Sequence, residues 1–137
     1  MEGAGWMEQR PHQPVGVVQA SIAALNRGDI DDALAYCADD IVLWAPGRDL
    51  EGQEIRGKEQ LRLVLEASEA EWPDTWTAIR SIVADGDRVA AELTTVATAH
   101  DRRISQPMAA FYRVRGGLIV EQSGYYDLGA LRRVLED

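Results

Sequence analysis

The chain predicts an α+β fold, helices first and a mostly antiparallel sheet after them, and two observations carry the prediction. Up to about residue 72 the apolar residues recur mainly at helical spacing, with one short strand between. After Pro73 the period drops to two and holds through four segments separated by turn dipeptides. Helices gathered ahead of the strands, rather than alternating with them, point to three helices packed on one face of a curled sheet.

Each element follows in order. Val17, Val18, Ile22 and Leu25 share a face from about Val15 to Arg27, and Gly28 supplies the stop signal. Asp29 caps a second short helix whose stripe is Ile30, Ala33, Leu34 and Cys37. "IVLWAP" is a strand that breaks at Pro46, with Ile41, Leu43 and Ala45 on its inner side and Trp44 on its outer. The loop "GRDLEGQEIRG" follows, its charges a solvated lip or a gate, and Lys58 opens a third helix along Leu61, Leu65 and Ser68. The turn signals Asp85-Gly86, His100-Asp101 and Gly116-Gly117 then divide four strands, and "LGALRRVLED" reads as a last short helix. The whole is one domain over residues 14–137, five strands in all, behind a disordered tail at residues 1–13. Helices over a strongly bent sheet enclose an apolar pocket, so function is expected at inward-facing strand positions.

Composition narrows the function. Fourteen basic residues against 23 acidic ones give a net charge of −9, which repels phosphate backbones and argues against a nucleic-acid partner. Apolar runs fall well short of the ~18 residues that span a bilayer, and the N-terminus lacks an apolar secretory core, so a cytoplasmic protein without a membrane partner is expected. Cys37, the lone cysteine, reads as a small core residue. His12 and His100 stand far apart and no glycine-rich phosphate loop occurs, so neither metal nor nucleotide cofactor is expected.

The stretch "VVQASIAALNRGDIDDALAYCADDIVLWAP", with "EIRGKEQLR" and "FYRVRGGLIVEQ" further on, resembles the NTF2-like superfamily. Within it the chain is most similar to the ketosteroid isomerases, limonene-epoxide hydrolases and SnoaL-like polyketide cyclases. The resemblance implies a cone-shaped fold and identifies the catalytic positions. Where the isomerases carry an oxyanion Tyr, a general-base Asp and a protonated Asp, this chain has Ser21, Ala45 and Ala109. Where the epoxide hydrolases hold water, it has Leu43, Ala45, Glu92, Thr94 and Gly124, and the acid that the cyclases keep on the last strand also falls on Gly124. Proton abstraction beside a carbonyl needs a base and a charge-stabilising donor, so the isomerase mechanism is rejected.

By that alignment Glu92, Thr94, Val96 and Thr98 face inward, as do Ala109 and Phe111 on the neighbouring strand, while Met108, Ala110 and Tyr112 join Trp44 on the outer face. Glu92 is then either a desolvated acid or base, or a surface acid paired with Arg80 or Arg113. Gln122 and Tyr126, flanking Gly124, are either donors to a ligand or, for Tyr126, a core aromatic. Trp44, Trp72 and Trp76 are candidates to stack on a flat ligand, and the His100-Asp101 pair reads as a solvated turn or a proton shuttle at the rim.

The expected function is a SnoaL-like, cofactor-independent cyclase or isomerase for a hydrophobic polyketide-like or terpenoid-like molecule, with Glu92 and Tyr126 as catalytic candidates and a homodimer through the convex sheet face. The alternatives are a non-catalytic ligand-binding or scaffold module and a variant epoxide hydrolase.

Overall fold

The computed structural model describes residues 10–47 and 51–136. Helix α1 (Pro14–Asn26) starts on a proline, which is pre-set for the first helical turn. It ends at Gly28, whose positive φ of 74° lets Gly28 N–H donate to Leu25 O at 3.0 Å and Asp29 N–H to Ala24 O at 2.9 Å. Helix α2 (Ile30–Ala35) is capped by the Asp29 carboxylate, which accepts from Asp32 N–H at 3.0 Å. The helical stripe was expected to include Cys37, yet Cys37 opens strand β1 (Cys37–Ala45). The reason is tertiary: Ile119 N–H donates to Tyr36 O at 2.8 Å and draws the chain into the sheet at that point, while Cys37 stays buried.

Strand β2 (Gln53–Arg56) corrects the reading of this segment as loop and makes the strands six among the described residues. It pairs antiparallel with β1, Leu43 opposite Ile55, and four residues with one apolar member are too short to show a period. Helix α3 (Lys58–Glu71) follows, then β3 (Trp76–Asp85), β4 (Arg88–Ala99), β5 (Arg102–Arg115), β6 (Leu118–Tyr126) and helix α4 (Leu128–Glu136). The sheet order is β2-β1-β6-β5-β4-β3, antiparallel throughout except for the parallel β1–β6 pair.

A bulge on β6 determines which way the long strands face. Val114 lies opposite Ile119 but Arg113 lies opposite Glu121, leaving Val120 without a partner on β5. Beyond it Tyr112 faces Gln122, Ala110 faces Gly124 and Met108 faces Tyr126. The β4–β5 register is unbroken, so Val89, Ala91, Leu93, Ala97 and Ala99 are buried against the helices with Ala110, Tyr112 and Val114. The inward placement of Glu92, Thr94, Val96, Thr98, Ala109 and Phe111 is therefore corrected: these residues lie on the outer face, and Met108, Ala110 and Tyr112 on the inner. Without the extra residue, Gln122 would oppose Phe111 and every assignment on β5 and β4 would invert.

Val17 and Val18 of α1, Leu34, Ile41 and Ile119 form the most deeply buried part of the core. At the sheet edge the Asn26 amide donates to Thr77 O at 2.8 Å and accepts from Thr77 N–H at 2.9 Å, tying α1 to β3. Asp127 caps α4, and the Arg102 guanidinium donates to Val134 O at 3.2 Å near its end. Of the tail, Arg10 stacks 4.3 Å above the Tyr36 ring, so residues 10–13 sit on the domain, while residues 1–9 lie outside the described residues. Residues 48–50 of the anticipated lip lie outside them too. No helix among the described residues is long and apolar enough to cross a membrane.

Burial raises the Cys37 thiol from its ordinary 9.0 to about 11, with Lys58 pulling weakly the other way. Below pH 9 the folded and unfolded chains both hold this proton; between pH 9 and 11 only the folded chain does, so stability falls as pH rises through that window. Urea titrations should show a loss of roughly 2 to 3 kcal/mol from this group across the window. Cys37→Ala should flatten that part of the stability curve; a wild-type slope retained in the variant would refute the assignment.

Candidate functional site

On the inner face the last strand presents Gln122, Gly124 and Tyr126 at alternate positions, all half-buried. Leu43 of β1 lies beside Gln122, Ala45 follows along the same face, and Met108 of β5 lies opposite Tyr126. Ser21 is buried on the side of α1 that holds Val17 and Val18. Gly124 has no positive φ to explain it, and a Cβ there would meet only the Met108 Cε, at 3.8 Å. It therefore provides space rather than conformational freedom. The Tyr126 phenol is protonated and a hydrogen-bond donor at neutral pH, and burial raises its pKa above the ordinary value, which extends that state further into the alkaline range. None of these seven side chains carries a charge, so the patch offers hydrogen bonds and apolar surface without an acid or base.

The structure sets Leu43, Ala45, Gln122, Gly124 and Tyr126 on the helix-covered face of the sheet, with Ser21 buried on α1, and it separates them from Glu92, Thr94, Ala109 and Phe111 on the other face. Glu92 is solvent-exposed on the outer face, opposite Ala109 on β5 and Ser81 on β3. The sheet stands between it and Tyr126. Arg113, one expected partner, instead lies 3.9 Å from both Asp87 and Glu121. His100 and Asp101 both have positive φ, 49° and 63°, as a two-residue hairpin turn demands, and both are exposed. The three tryptophans make no common platform: Trp44 is on the outer face, Trp76 is exposed at the start of β3, and Trp72 lines a 260 Å³ cleft with Leu25, Leu65 and Thr77.

Sequence reasoning missed Met108, Thr95 and Thr77 as inner-face residues. Thr77 Oγ1 lies 3.0 Å from Thr95 Oγ1, which donates to Met108 Sδ at 3.3 Å. It also missed a larger groove, about 680 Å³, on the outer face, where Val42, Trp44, Val83, Ala90 and Phe111 meet. Tyr125 stacks tilted against Trp44 at 5.2 Å and edge-on to Phe111 at 5.8 Å. Charges of both signs ring it, including Arg56 with Glu54 at 3.0 Å and Arg113 between its two carboxylates. Among the described residues no group of His, Cys, Asp and Glu is arranged to hold a metal ion.

Several solved structures share this architecture. IdmH, a candidate polyketide cyclase from Streptomyces antibioticus, is 28% identical and superposes with a TM-score of 0.80 over 92% of this chain and 100% of its own. A loop-truncation variant of IdmH is 30% identical over 90% of this chain and 99% of its own, TM-score 0.79. A candidate polyketide cyclase from Xanthomonas campestris pv. campestris is 27% identical over 89% and 96%, TM-score 0.73. No curated protein matches the chain. The SnoaL-like domain model matches residues 18–122. With that match spanning most of the sequence on this helix-covered curved sheet, the chain belongs to the SnoaL-like domain family.

Proposed function

We propose that the chain is a cofactor-independent cyclase or isomerase that takes a hydrophobic polyketide-like or terpenoid-like molecule on the inner face of the sheet. One observation carries this reading: Gln122 and Tyr126, two uncharged hydrogen-bonding side chains, flank the open space at Gly124 above an apolar floor of Leu43, Ala45 and Met108. Kinship with IdmH supports the reaction class. In this mechanism the Tyr126 hydroxyl donates to a substrate oxygen on which charge develops, and Gln122 orients a second oxygen. Holding the ends of a flexible chain at attack distance supplies the remaining rate. A ring closure whose nucleophile is already an enol needs no base from the protein, because the O–H proton released as the C–C bond forms can pass through water to the alkoxide that the same step creates. The epoxide-hydrolase alternative loses its support, because Glu92 faces away from the site.

On a panel of polyketide-like substrates, Tyr126→Phe should lower kcat by about 10²- to 10³-fold, as removal of one oxyanion donor does elsewhere. Gln122→Leu should act mainly on KM, and Glu92→Gln should leave turnover unchanged. Loss of turnover in Glu92→Gln, with Tyr126→Phe fully active, would overturn the assignment.

The outer-face groove favours a second role for the same chain, as a homodimer. A two-fold interface must complement itself, and here an apolar aromatic centre is ringed by both signs of charge on a chain that is otherwise strongly acidic. Should the inner face prove inactive, this surface supports the non-catalytic scaffold reading. Sedimentation of Phe111→Glu should show a monomer where the wild type sediments as a dimer; a wild-type monomer at high micromolar concentration would rule the interface out.

A further inference from the structure

We infer that Met108 is a pinned gate that sets which ligands the inner face admits, an inference that rests on the inner-face reading of the site. Its methyl stands over the space that Gly124 leaves open, 3.8 Å from where a Cβ would be. Tyr126 lies opposite it on β6 and Leu93 on β4, so the side chain stands on the inner face beside Tyr126, at the Tyr126 end of the Gln122–Gly124–Tyr126 row.

What holds it there is a directed hydrogen-bond chain. A thioether has no proton to give, so Thr95 Oγ1 must donate across the 3.3 Å to Sδ. The Thr95 hydroxyl proton is thereby committed, so in the 3.0 Å contact between the two threonines it is Thr77 that donates. The Thr77 backbone is clamped at both N–H and C=O by the Asn26 amide. The string Asn26, Thr77, Thr95, Met108 thus begins on α1 and terminates at the sulfur.

Methionine is the most adaptable apolar side chain, and sulfur is a weak acceptor. Such a bond fixes one conformer yet is cheap to break. Rotation of Met108 off Gly124 opens room for a flat ring and at the same time frees the Thr95 hydroxyl. The open site would then hold donors on two strands, Tyr126 and Gln122 on β6 and Thr95 on β4, around an apolar slot. The ligand class that fits is a flat fused-ring molecule with hydroxyl or carbonyl groups on its edge, and Met108 limits the number of rings.

The test is fluorescence titration of the full chain with two probes, 2-naphthol for two rings and 1,8-dihydroxyanthraquinone for three. Met108→Ala should tighten the three-ring probe by about tenfold, the worth of roughly two further methylene-sized groups of the probe becoming buried, and change 2-naphthol far less. Thr95→Val, nearly isosteric, should unpin the gate without enlarging the slot and speed association of the three-ring probe; it reads the same inference if Met108→Ala does not fold. Gly124→Leu should abolish binding of both. Probes that still bind Gly124→Leu sit elsewhere, and then the inner-face reading itself is wrong. If Gly124→Leu blocks binding while Met108→Ala leaves ring preference and Thr95→Val leaves association unchanged, the site stands and the gate is refuted.

Discussion

A single extra residue in the last strand, Val120, orients the side chains of β5 beyond it and, through the unbroken β4–β5 register, those of β4. The Gly116-Gly117 turn, both residues at positive φ, starts the β5–β6 pairing with Arg115 opposite Leu118. The bulge then shifts the ladder by one before Arg113 meets Glu121. The other side of β6 breaks at the same level: Ile119 pairs with Cys37 and Glu121 with Val42, so four residues of β1 fill the interval opposite Val120. Two register breaks at one point concentrate twist and bending there, which curls the sheet around the helices. Met108 faces Tyr126, and Glu92 faces water, because of that point.

The same feature separates what was legible in the sequence from what was not. Element order, the ends of α1 and α3, the Asp29 cap and the His100-Asp101 and Gly116-Gly117 turns were all written in local chemistry: a glycine at a helix end, a capping carboxylate, turn pairs suited to positive φ. The first hairpin turn falls on Gly86-Asp87, one residue beyond the expected Asp85-Gly86. The inner faces of β1 and β6 were legible too, through Ile41 and Leu43 in one and by family likeness in the other. A bulge has no such signature, and carrying a face across the Gly116-Gly117 turn as though the ladder were regular inverts β5, then β4 through its unbroken register. A local signal did exist. Val89, Ala91 and Leu93 alternate with Ala90, Glu92 and Thr94, and period-two hydrophobicity by itself puts Glu92 in solvent. The family alignment overrode that alternation, at the cost of the catalytic candidate.

The two faces of the sheet divide the chemistry. The outer face carries paired charges around an aromatic patch, and the inner site carries none, although acidic residues outnumber basic ones by nine in the chain as a whole. An uncharged site cannot select substrates by long-range electrostatics or turn them over by a titrating acid–base pair. Its discrimination has to come from shape and from the direction of a few hydrogen bonds, each of which depends on the backbone holding still.

That requirement gives meaning to the bracing at the open end of the sheet. The Asp74 carboxylate accepts from Thr98 N–H at 3.1 Å, from the Thr98 hydroxyl and from Arg103 at 2.8 Å, joining the connection after α3 to the β4–β5 hairpin. These bonds, the Thr98 hydroxyl first, hold its carboxyl below the ordinary range, so the brace persists further into acid than an ordinary aspartate would allow. Arg102, on the inner side of the same hairpin, reaches the last turn of α4. Asn26 fixes the edge strand from the other direction. With the surrounding backbone secured at three places, the soft element left in the inner face is Met108 beside Tyr126, and a rigid slot with one adaptable side chain is how an apolar site can be selective without charge.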